Sequence, residues 1–136
     1  MTSHHPVRRF AVAGSIVLAV SAAGIVPAAA SHGSDGREVE RRGNCSHSTD
    51  WKLKAKADDG RIEVEAEIDS NVSGQTWTWS IVHNGGTSAR GRATTKPPSG
   101  SFEVKRLLIN AGGVDRIGVR AHNAGTGESC NGNLQF

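Results

Sequence analysis

From Cys45 to the C-terminus, apolar and polar residues alternate with a period of two, the pattern that sends one set of side chains into a core and the other into water. Trp51, Leu53, Ala55 and Ala57 alternate with Lys52, Lys54 and Lys56. After Asp58-Asp59-Gly60-Arg61, Ile62, Val64, Ala66 and Ile68 alternate with Glu63, Glu65 and Glu67. A two-residue type I′ turn at Asp59-Gly60 pairs Lys56 with Glu63, Lys54 with Glu65 and Lys52 with Glu67, and sets Trp51 opposite Ile68. A slip of one residue would place each lysine against an apolar side chain, so turn, pattern and charge select one hairpin. The Lys/Glu ladder reads as a solvated face whose charges satisfy one another.

A second hairpin runs from Thr76 to Ala93, with Trp77, Trp79 and Ile81 on one face and His83-Asn84-Gly85-Gly86 at the bend. A two-residue Asn84-Gly85 turn would oppose Trp79 to Arg90. A three-residue loop with Gly86 at positive φ would instead oppose Ile81 to Ala89 and Trp79 to Gly91, leaving Arg90 and Arg92 outside beside Ser80 and Thr78. The second register is preferred because it keeps charge out of the core. Lys96-Pro97-Pro98-Ser99-Gly100 marks a crossover loop. Ser101–Ile109 follows as a strand with Phe102 and Val104 inward, and Arg106-Leu107-Leu108 breaks the alternation and predicts a bulge. Arg116–His122 turns Ile117, Val119 and Ala121 inward. In the last strand Cys130, Gly132, Leu134 and Phe136 share a face opposite Ser129, Asn131, Asn133 and Gln135. No ten-residue stretch has a helical period.

The N-terminal part is different. Arg8 and Arg9 precede an apolar run from Phe10 to Val26, and Ala28-Ala29-Ala30 offers a small-residue cleavage pattern, so residues 1–30 read as a secretory signal peptide. A retained membrane span needs about 20 apolar residues with suitable flanks, and Gly14, Gly24 and Pro27 ahead of the Ala-x-Ala site favour processing. Residues 31–44 carry one large apolar residue, Val39, and read as a flexible leader. Residues 45–136 are then the folded domain. Cys45 and Cys130 are the only thiols. In an exported protein they predict one disulfide closing most of the domain, and the expected localisation is secreted, in an oxidising extracellular compartment.

Six strong strands and a short first one near Cys45, each bounded by turn residues, predict an all-β, antiparallel two-sheet sandwich of about seven strands. Over residues 45–136 the chain resembles the immunoglobulin-like and fibronectin type III-like modules of secreted bacterial proteins. The resemblance is carried by Trp77 in the third strand, the Asp115-x-Ile117-x-Val119-x-Ala121 run of the sixth, and the strand spacing. Two features depart from antibody domains: the cysteines sit at the domain ends, and the chain has no Tyr, hence no tyrosine corner. Such folds host unrelated activities, so function has to be argued from residues.

Catalytic chemistry is sparse. His47 neighbours Ser46, Ser48 and Asp50, but adjacent residues diverge where a triad needs convergence from separate elements. Asp58-Asp59 is turn chemistry, the glutamate ladder is paired, and no glycine-rich loop opens a helix to hold phosphate. No cofactor is implied. If the signal were cut after Ser31, an N-terminal His32 could chelate Cu(II), as in bacterial copper-binding sandwiches and polysaccharide monooxygenases. Trp77 and Trp79 could form a sugar-stacking platform, but the five aromatics after residue 30 are needed as core bulk.

The formal charge of +3 falls to +1 once the signal arginines are removed, so overall basicity says little about partners. Its distribution says more. Residues 45–85 sum to −3 and residues 86–122 to +5. On the predicted fold Arg90, Arg92, Arg116 and Arg120 project from one sheet beside His122, Asn131 and Asn133. This face would meet any anionic partner, whether a cell-envelope polymer, a lipid headgroup or an acidic extracellular protein. With no interleaved aromatic row, nucleic acid is not the expected partner. The expectation is a secreted, non-catalytic binding or structural module. Its alternative is an inhibitor of an extracellular protease, presenting the proline-stiffened loop Lys96–Gly100.

Overall fold

The computed structural model describes residues 36–136; the signal segment and His32 lie outside the described residues. Eight strands form two four-stranded antiparallel sheets: β1 (Glu38–Asn44), β2 (Asp50–Asp58), β3 (Arg61–Asp69) and β6 (Ser101–Ile109) in the order β1-β2-β3-β6, and β4 (Thr76–His83), β5 (Gly86–Thr94), β7 (Arg116–Asn123) and β8 (Glu128–Gln135) in the order β5-β4-β7-β8. The protein is therefore an all-β sandwich, with an arrangement compatible with an immunoglobulin-like fold.

The first hairpin has the register that its charge pattern demands, with Lys56 opposite Glu63, Lys54 opposite Glu65, Lys52 opposite Glu67 and Trp51 opposite Ile68. Asp59 and Gly60 both have positive φ, 45° and 76°, as a type I′ turn requires. In the second hairpin the pairs Trp79–Gly91, Ile81–Ala89, Ser80–Arg90 and Thr78–Arg92 are those expected, but the device that produces them is not. Asn84 and Gly85, and not Gly86, carry positive φ, so the bend is a two-residue turn. A register shift between Ile81 and Val82, with Ser88 as the extra residue, then restores the pairing that keeps Arg90 and Arg92 out of the core.

Three further expectations are corrected. Residues 38–44 are not leader but the edge strand β1, paired with β2 from Glu38–Lys56 to Asn44–Asp50. An edge strand is held by main-chain hydrogen bonds as well as by apolar burial, and a count of apolar residues misses that contribution. Residues 45–49, where a short first strand was expected, connect β1 to β2. Nor is there a bulge in β6, which pairs without interruption from Arg61–Ile109 to Asp69–Ser101. Arg106 therefore occupies an inward position at the sheet edge. Its guanidinium lies over the Trp79 ring, 5.0 Å from the centroid, so the inward charge is met by a cation–π contact at the open edge of the sandwich.

The core lies between the sheets: Leu53, Ile62, Val64 and Ile68 meet Trp77, Ile81, Ile117 and Val119, all essentially inaccessible. Trp77 and Trp79 are 0% and 7% exposed, which makes them core bulk and not a platform. Trp51 lies over Gly132 of the facing sheet, where an added Cβ would stand 2.5 Å from the ring. Cys45 and Cys130 form the disulfide, joining the β1–β2 connection to β8. Among the described residues no helix is long and apolar enough to cross a membrane.

Candidate functional site

The outer faces of the two sheets differ in how they handle charge. On the β1-β2-β3-β6 sheet, Lys52 pairs with Glu67, and Glu65 is held between Lys54 at 3.3 Å and Lys105 at 3.0 Å. Glu65 is only 6% exposed although it points outward, because the flanking lysine stems cover it. Burial alone would raise its pKa; the contacts with Lys105, Glu103 and Lys54 outweigh burial and hold it below the usual carboxylate range. Hydrogen bonding to Glu67 raises Lys52 despite its partial desolvation. The central charges of this face are thus paired with one another.

The outer face of β5-β4-β7-β8 has no such balance. Strand alternation turns Thr76, Thr78, Ser80 and Val82 outward from β4, Arg90 and Arg92 from β5, Arg116, Gly118, Arg120 and His122 from β7, and Ser129, Asn131, Asn133 and Gln135 from β8. The only carboxylate in these four strands is Glu128, which turns inward and is 5% exposed. Among the described residues none of the four arginines enters a salt bridge.

Cross-strand registry assembles the side chains into two rows. Arg90, Ser80, Arg120 and Asn131 form one; Arg92, Thr78, His122 and Ser129 form the next. These eight residues line an open depression of about 570 Å³. Strand spacing sets the two sides of the cationic quartet at roughly 10 Å across the strands and roughly 7 Å along them. His122 Nδ1 lies 3.0 Å from Ser129 Oγ, and Thr78 Oγ1 donates to the His122 carbonyl at 3.3 Å, which fixes the second row. A second depression of about 470 Å³ shares Thr78, Arg92 and His122 with the first and continues along Gly74, Gln75, Thr76 and Thr126.

Of the residues expected on this face, Arg90, Arg92, Arg120, His122 and Asn131 come together. Arg116 does not join them: it lines a separate depression with Arg41, Gly118, Asn133 and Gln135. The histidines are otherwise dispersed. His83 Nε2 lies 2.5 Å from Asp115 Oδ1, which also accepts from Asn84 Nδ2 at 3.0 Å. Asn84 Oδ1 in turn accepts from the Arg116 amide, so this group ties the β4–β5 turn to the start of β7. His47 is exposed, and its amide donates to Glu128 Oε1. Among the described residues no group of three or more His, Cys, Asp or Glu is placed to hold a metal ion. The loop Lys96–Gly100 closes on itself through Gly100 N to Lys96 O, 2.8 Å, and Lys96 N to Ser101 O, 2.9 Å. These backbone groups are thus not available for the extended pairing by which a peptide occupies a β-type cleft.

Sequence reasoning missed the structural role of Glu128. It accepts hydrogen bonds from Thr49 N at 2.8 Å, Thr49 Oγ1 at 2.7 Å and His47 N at 3.2 Å, and so holds the connection that carries Cys45. Burial pushes its pKa up, but the Thr49 and His47 hydrogen bonds prevail and leave it lowered. The signal was available: Glu128 has the same parity as Cys130, the inward one. No protein-family model, curated protein or solved structure matches the chain.

Proposed function

We propose that the protein is a secreted, non-catalytic binding module that engages an anionic partner of the cell envelope or extracellular space through the outer face of the β5-β4-β7-β8 sheet. The observation that carries this reading is the asymmetry of the two faces. One pairs every lysine of its central ladder with glutamate or leaves it at the rim, whereas the other gathers Arg90, Arg92, Arg120 and His122 around a depression with no outward carboxylate. A protein with near-zero net charge in its folded part gains little solubility from such segregation, while an anion gains several unopposed donors at once. The Cys45–Cys130 disulfide and the apolar run ahead of Ala28-Ala29-Ala30 support an oxidising, extra-cytoplasmic setting.

Charge reversal at Arg90, Arg92, Arg116 and Arg120 tests the reading. Retention of the protein on the producer's envelope should fall, and fall further for the three arginines of the main depression than for Arg116 alone. Retention unchanged by all four reversals would overturn it.

A further inference from the structure

The basic face carries more information than its sign. Its cationic part is short, two rows deep, and beyond the second row the groove continues between neutral walls: Gly74, Gln75 and Thr76 on one side, Asn123 to Thr126 on the other. Within the cationic part the outward side chains between the arginines carry hydroxyl and amide groups, Ser80 and Thr78 at the centre and Asn131 and Ser129 at the far side, over a floor that Trp79 and Ala121 also line. The two depressions share Thr78, Arg92 and His122, so one elongated ligand can occupy both.

Resting on the proposed function, we infer that the occupant is an anionic glycan, a carboxylated or sulfated sugar chain. Its charged groups sit among Arg90, Arg92, Arg120 and His122, and its neutral hydroxylated residues extend toward Thr76 and Thr126. Three alternatives fit the face less well. A polyphosphate carries charge on every unit and would leave its continuation against uncharged walls. A nucleic acid gains from base stacking on exposed aromatics, and Trp77 and Trp79 are both enclosed between the sheets. A lipid surface calls for a cluster of exposed apolar side chains beside the cations, but Leu107 and Ile109 lie on β6 in the other sheet, Val114 in the loop that follows, and Val72 stands alone near Gln75 and Thr126, past the cationic rows. A sugar chain uses what is present. Arginine forks bind carboxylate or sulfate oxygens in pairs, and serine, threonine and asparagine exchange hydrogen bonds with ring hydroxyls.

Isothermal titration at fixed ionic strength with polygalacturonate, dextran sulfate, unsubstituted dextran and polyphosphate tests the inference, using the wild type and two double variants. Arg90→Gln/Arg120→Gln removes charge from the first row. Thr76→Val/Thr126→Val keeps all four cations and removes two hydroxyls of the neutral continuation; because Thr126 Oγ1 also accepts from the Glu128 amide and Thr76 Oγ1 meets Thr94 Oγ1, its melting temperature is measured alongside. The expected result is binding of polygalacturonate or dextran sulfate, whichever carries the matching anion, and weaker binding of polyphosphate and dextran. The arginine variant should weaken glycan binding about tenfold or more. The threonine variant should weaken it about threefold while leaving polyphosphate unchanged. Polyphosphate bound as tightly as either anionic glycan, with the threonine variant silent, overturns the glycan and leaves the basic-face reading standing. Dextran bound as tightly as its sulfated form also overturns it. If no polyanion responds to Arg90→Gln/Arg120→Gln, both readings fall.

Discussion

Glu128 shows what a single side chain does here. Its carboxylate is buried and satisfied by two backbone amides and a hydroxyl from the loop that carries Cys45. Replacing it with glutamine removes the charge from these bonds: the carbonyl can stay on the two amides that share Oε1, the side-chain NH2 then faces the Thr49 hydroxyl, which must turn to accept, and the lost charge assistance should cost about 1–2 kcal/mol. Equilibrium urea unfolding measures the loss, and an unchanged midpoint would contradict the assignment. Asp115 is the parallel case at the opposite end of the strand pair. Burial raises its pKa, but His83 and Asn84 bring it below the usual value. Both folded-state pKa values lie below the unfolded ones. Their stabilisation is therefore complete above the ordinary carboxylate range and is lost as pH falls through the lowered values. Melting temperature should accordingly drop on acidification below about pH 4, less steeply in Glu128→Gln than in the wild type. Gly132 makes an opposite kind of demand. The Trp51 ring occupies the space a Cβ would need, so Gly132→Ala should destabilise by about 1–3 kcal/mol through overpacking, again read by urea unfolding.

At the scale of strands, the hairpins were readable because independent signals agreed. In β2–β3 the turn residues, the apolar alternation and the Lys/Glu pairs each specify the register, and the observed pairing is that one. In β4–β5 the requirement to keep arginine outside identified the correct partners, while the route to them, a tight turn followed by a bulge, was hidden because Asn84-Gly85-Gly86 suits either loop length. The two edge strands of the β1-β2-β3-β6 sheet were the least legible. β1 contributes mainly backbone hydrogen bonds, and β6 turns Arg106 inward where the apolar pattern demanded a core residue. The same parity puts Arg41 on the inner face of β1, opposite Leu53. Both outer strands of this sheet thus carry an inward charge at the rim, a feature that disfavours addition of further strands. Arg41→Leu/Arg106→Leu should self-associate more than the wild type in sedimentation velocity as concentration rises. Equal sedimentation behaviour would remove the edge-guarding role.

For the molecule as a whole, the disulfide and the division of charge between faces are the two organising features. Cys45 and Cys130 are 85 residues apart in sequence, and the bond they form joins the two sheets at one side of the sandwich. Closing a loop of that length restrains the unfolded chain by an amount on the order of 4 kcal/mol, a large share of a typical domain's total stability. Cys45→Ser/Cys130→Ser should lower the unfolding free energy by about that much. The candidate site was legible in the sequence to the extent that strand parity fixes it: Arg90, Arg92, Arg120, His122 and Asn131 were all assigned to one face. Separating Arg116 from the group, and finding the neutral continuation past Thr76, required the order of strands across the sheet and the loops at its end, which one-dimensional alternation does not encode. The most direct measurement is amide chemical-shift mapping during titration with a short uronate or sulfated oligosaccharide. Perturbations should concentrate at Thr78, Ser80, Arg90, Arg92, Arg120 and His122 and diminish with added salt. Shifts centred instead on the ladder from Lys52 to Glu67, or none on either face, would contradict the account.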